Sequence, residues 1–148
     1  MAKNNRNNNN QRRKNFFSTA NKPVDTMTAH DISFASNRIF RDIASGNFDP
    51  SLDAEKFKNP LLVTQLIANA QVKFEEADLV FRSLDYCYNA AGASLDRSKV
   101  EWKNKWQNRA KAYAAILNGL LAIQAGWDPY TILPNMMNEA RVGRNYLD

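Results

Sequence analysis

The residues best placed to do chemistry are six bases at the head of the chain: Lys3, Arg6, Arg12, Arg13, Lys14 and Lys22, with no acid before Asp25. A cluster of this kind can neutralise phosphates, with an affinity that falls steeply as salt rises. The Asn and Gln residues between the bases add hydrogen-bonding groups, but their spacing encodes no base readout. Of the 20 Lys and Arg in the chain, six lie in this head, which leaves 14 bases against 15 acids in the remainder. The positive charge of the protein is therefore the charge of its first 24 residues. Three uses fit such a segment: contact with nucleic acid, docking on an acidic protein surface, or solubilisation alone. Phe16 and Phe17 follow the Asn-rich stretch and could anchor it on the body or on a neighbouring subunit.

Catalytic chemistry has few candidates. His30 is the lone histidine and Cys87 the lone cysteine, too few ligands for a zinc centre or a triad. Cys87, between Tyr86 and Tyr88, is expected to be a small buried residue. Glu75, Glu76 and Asp78 form the densest acidic cluster, but helical geometry spreads them and Lys73 and Arg82 can pair with them. Neither GxxxxGK[ST] nor GxGxxG occurs, so nucleotide-loop chemistry is not expected. Bases and aromatics interleave from Arg97 to Lys111, a composition that can stack on single-stranded nucleic acid. Helical angles instead turn Trp102 and Trp106 toward the core with Tyr113 and Leu120. Arg109 shares that direction, and is expected to stack on those rings or to pair with Asp78 or Asp85. The expectation is a non-enzymatic protein with no catalytic residue, no metal and no cofactor.

These groups need elements to hold them. An apolar content of 44% is ordinary for a globular chain, and 148 residues suit one domain. Asn favours coil over helix, so residues 1–24 are expected to be a disordered arm and 25–148 a helical domain. Ile32, Ala35, Ile39, Phe40 and Ile43 recur at helical spacing over 28–45, with Gly46 as the stop. Asp49-Pro50, Asn59-Pro60 and Asp128-Pro129 each place a capping residue before a proline, a helix-start signal. The first opens a short helix to about Phe57. The second opens a long one over about 60–91, where Val63, Ile67, Ala70, Phe74, Ala77, Phe81, Leu84, Tyr88 and Ala91 alternate steps of four and three. Ser98 with Glu101 reads as a capping box for a further helix over about 98–125. A short loop makes these two an antiparallel hairpin. In the tail, Trp127, Tyr130, Ile132 and Leu133 precede an expected helix from 134 to about 144. The fold class expected is all-α: an elongated helical bundle built on the long hairpin.

The long helix carries a second apolar stripe. Leu61, Ala68, Val72, Leu79 and Tyr86 gather opposite the first stripe. Thr64, Gln71, Glu75, Arg82 and Asn89 lie on one flank; Gln65, Glu76 and Ser83 lie on the other. A helix with two apolar faces needs two partners. The second face is either covered by the first helix and the tail or is a subunit contact through Leu61, Val72, Leu79 and Tyr86. A break near 73–78 would void that geometry.

A basic low-complexity arm at 1–17 ahead of a helical hairpin at 60–125 resembles the layout of viral structural proteins, including filamentous-virus coat subunits and the all-α connector and small terminase subunits of phages. The resemblance implies a virion or phage assembly subunit whose body self-associates or docks on other virion proteins and whose arm meets DNA or RNA. No apolar run approaches ~18 residues, so no membrane partner is expected, and the polar start does not read as a secretory signal. A virion or cytoplasmic location follows from that reading. The alternative is a small regulatory protein that binds a host protein as a monomer or dimer.

Overall fold

The structure, a computed structural model, describes residues 27–91 and 97–141. Among these residues the chain is all-α, and its helices are α1 (Ala29–Ser45), α2 (Pro50–Asp53), α3 (Pro60–Ala91), α4 (Arg97–Gln124) and α5 (Pro129–Ala140); a 3-10 turn, Ala54–Lys58, prolongs α2.

Local chemistry sets the boundaries. Thr28 caps α1 by accepting from the Asp31 amide at 3.2 Å, while Asp31 accepts from the Thr28 amide at 3.1 Å. Gly46 ends α1 at φ 82°, a left-handed conformation that favours glycine. Each Asx-Pro pair starts a helix. Asp49, Asn59 and Asp128 accept from the amides of Ser51, Leu61 and Tyr130 at 3.0, 2.9 and 3.2 Å. Gly126, at φ 105°, closes α4, with the Trp127 amide donating to Ala122.

Two boundaries differ from expectation. Ser98 is no N-cap, because it already lies within α4. The last helix begins at Pro129, not at Pro134, which sits inside it on the exposed side. Proline there lacks the N–H that would bond to Tyr130, a cost of ~3 kcal/mol in an isolated helix interior. Leu133 and Met136, both buried, hold the segment onto the body regardless.

The α3/α4 hairpin is the spine, with α1 packed on α3 and α5 packed on α4. One core joins them: Ile39 and Ile43 of α1, Leu62, Leu66 and Ala70 of α3, Ile116 and Leu120 of α4, and Leu133 and Met136 of α5. Gly119 makes the α4–α5 approach possible. A Cβ added there would lie 2.7 Å from Met136 Cγ and Sδ and 2.9 Å from its Cβ. Phe48 and Phe57 meet edge to face at 5.8 Å at the end of α1. Arg38 bridges Asp42 and Asp53 at 3.1 and 3.4 Å, joining α1 to α2. Tyr130 Oη donates to Glu55 Oε1 at 2.6 Å, tying α5 to the 3-10 turn.

The 32 residues of α3 extend ~48 Å. A compact body of this size has a radius of gyration of only ~14 Å. The outcome is an elongated bundle in which the far end of the hairpin runs past α1 and α5.

Candidate assembly surface

Burial along the hairpin is uneven. Among the described side chains, the last buried on α3 is Ala77, and on α4 the first is Arg109, followed by Ala110. Between them, residues 78–90 and 99–108 hold no fully buried side chain. Phe81, Leu84, Tyr88, Val100 and Trp106 are only half-buried there. The heptad stripe turns Phe81, Leu84 and Tyr88 toward α4, but among the described residues no third helix closes over them.

The second stripe of α3 is open along its length. Leu61, Val72, Leu79 and Tyr86 are 65%, 62%, 67% and 75% exposed, and Ala68 is exposed between them. The helix is unbroken across 73–78, so these residues lie on one side of a single rod. Large apolar side chains gathered on one exposed side of a helix mark an interaction face. Its polar borders are tied along the helix. Gln71 donates to Glu75 at 3.2 Å and Arg82 pairs with Asp78 at 2.9 Å.

Trp102 corrects the expectation that both tryptophans point inward: it is 60% exposed. It lies about two turns of α4 before Arg109, where burial begins. Arg109 does stack, its guanidinium 4.3 Å from the Trp106 ring centre, and is buried. Asp85, one of its two expected acid partners, pairs instead with Lys103 at 2.9 Å, whose ammonium also lies 4.4 Å over Tyr88. Glu101, Trp102, Asn104, Lys105, Trp106 and Arg109 line an open cleft of about 730 Å³. A smaller groove of about 190 Å³ runs between the two helices past Phe74, Phe81 and Ala114.

Cys87 is exposed, contrary to expectation, because the stripe turns it away from α4 in the part of the hairpin that no other helix covers. His30 is exposed at the start of α1. Among the described residues no three His, Cys, Asp or Glu side chains gather to hold a metal ion, and no helix is long and apolar enough to cross a membrane. The arm residues Lys3, Arg6, Arg12, Arg13, Lys14 and Lys22, with Phe16 and Phe17, lie outside the described residues. The structure thus brings together the four stripe residues expected at a subunit contact. It adds the half-buried end of the hairpin, which periodicity alone does not reveal.

Comparison with protein families, with curated proteins and with solved structures gives no match.

Proposed function

We propose that this chain is a non-enzymatic assembly subunit of a virus or phage particle. Its helical body associates with copies of itself through the exposed face of α3, and its basic arm contacts nucleic acid. The observation that carries the reading is the exposed apolar face from Leu61 to Tyr86, which runs into a stretch of the hairpin, residues 78–90 and 99–108, where no described side chain is buried. Burial of apolar area is the main favourable term in association, and this face offers it. The arm supports the second half of the reading through charge, six bases without an acid. The layout of arm and bundle supports the particle context.

Sedimentation tests the first half. The native protein is expected to associate with rising concentration. Leu79→Glu is expected to stay monomeric with unchanged helical circular dichroism. A native protein that remains monomeric at high concentration overturns self-assembly. The arm is tested by titrating nucleic acid against the full chain and against a full chain with all six head bases changed to Gln. Each lost phosphate contact lowers the salt slope by about 0.7–0.9. Equal slopes remove the arm from the mechanism.

A further inference from the structure

The strip on α3 is bordered by charges whose order selects one way for two copies to meet. Glu75 and Arg82 lie on one flank, and Glu76 and Ser83 on the other; Glu75, Glu76, Arg82 and Ser83 are all exposed. Two copies joined face to face by a two-fold axis, with their helices aligned, have only two arrangements. If the helices run parallel, the flanks cross, and Glu75 of each copy meets Glu76 of the other. If they run antiparallel, each flank meets itself, and Glu75 and Arg82 of one copy face Arg82 and Glu75 of the second. That gives two opposite-charge contacts on the first flank, while on the second Glu76 of each copy faces Ser83 of the other. Antiparallel helices also oppose their dipoles.

The apolar residues agree with a single register. With the two-fold axis at Leu79, Leu79 meets its copy, Val72 lies across from Tyr86, and Ala68 lies across from Ala90. All of these are exposed in the single chain. Glu75 then comes within one residue's rise, ~1.5 Å along the axis, of Arg82 of the second copy. The contact spans residues 68–90 and so includes the half of α3 that its own chain covers least.

We infer that the partner of the α3 face is a second copy of this chain, bound antiparallel about a two-fold axis at Leu79. The inference rests on the self-association proposed above and adds its orientation.

Charge reversal separates the two orientations. In the antiparallel pair, Glu75→Arg and Arg82→Glu each weaken the dimer several-fold, and the double reversal restores native affinity. In a parallel pair, Glu75→Arg would remove the clash with Glu76 and tighten the dimer. Tightening by that variant, or failure of the double reversal to restore affinity, overturns the orientation. Cys87 gives a second readout in the native chain, since it is the lone cysteine and is exposed. Nitroxide labels there are expected ~24 Å apart along the helix axis, 16 residues at 1.5 Å each. A dimer with a label separation under about 15 Å rejects the antiparallel arrangement but leaves self-association intact. A labelled chain that is monomeric by sedimentation and shows no dipolar coupling rejects both.

Discussion

The two ends of the hairpin carry the same sequence pattern and reach different depths. At the base, α1 and α5 flank α3 and α4, and Leu62, Leu66, Ile116 and Leu120 are wholly buried. At the tip the alternation of steps continues through Phe81, Leu84 and Tyr88, yet each remains half-buried. Periodicity dictates which way a side chain points. The number of neighbouring helices dictates how far water is excluded. An apolar residue with direction but no depth has unspent burial free energy, which a second molecule can supply.

The largest test of this contrast compares equivalent truncations. Leu66→Ala at the base is expected to cost about 2–5 kcal/mol in chemical denaturation. Leu84→Ala at the tip is expected to cost only about 1 kcal/mol in a dilute monomer, because the side chain is half in water already. Equal losses would mean that the tip is as well supported as the base. A smaller effect is expected at the tip's polar clasp. Lys103→Met removes the pairing with Asp85 and the contact with Tyr88. The expected loss is about 0.5–1 kcal/mol, screened in part because Asp85 is 40% exposed. The same denaturation experiment reads it, and the loss should shrink in high salt.

The smallest expected effect lies at the base. Lys58 and then Tyr130 hold the Glu55 carboxyl below its ordinary range by hydrogen bonding. Glu55 in turn raises the ammonium of Lys58 and the phenol of Tyr130. The Glu55 contribution is present above the ordinary carboxylate range and disappears as pH falls through the depressed value. The Lys58 and Tyr130 contributions are present at neutral pH and disappear as pH rises through their raised values, above about pH 10. Melting curves of the native protein should therefore fall slightly more steeply between about pH 5 and 3 than those of Tyr130→Phe. Identical slopes would show that this exposed cluster adds nothing to the seating of α5.

Much of the architecture is legible in residue order. Asp49, Asn59 and Asp128 before prolines announce three helix starts, and Gly46 and Gly126 announce two stops. The alternation from Val63 to Tyr88 announces the hairpin, and the opposite placement of Leu61, Val72, Leu79 and Tyr86 announces the open face. What stays hidden depends on neighbours distant in sequence. Leu62 and Leu66 fall outside the main stripe, yet both are wholly buried in the core that α1, α4 and α5 share with α3. Trp102 is expected inside because the helical wheel treats every turn of a helix as equally covered, whereas Cys87 lies off the stripe and only a further covering helix would bury it. Gly119 carries no local signal in the middle of α4; its role exists only because Met136 settles against it. Pro134 reads as a start when only its immediate neighbours are considered. Asp128 and Pro129 had already begun that helix, and Leu133 and Met136 keep it going.

After Pro60, α3 contains neither glycine nor proline. Nothing along its ~48 Å can serve as a joint. A grip on the outer turns of the rod is transmitted to the base as a rotation of the entire body. Copies clasped there would be locked at a set angle and unable to swivel, so the stiffness of this single helix would become the curvature of whatever the copies build.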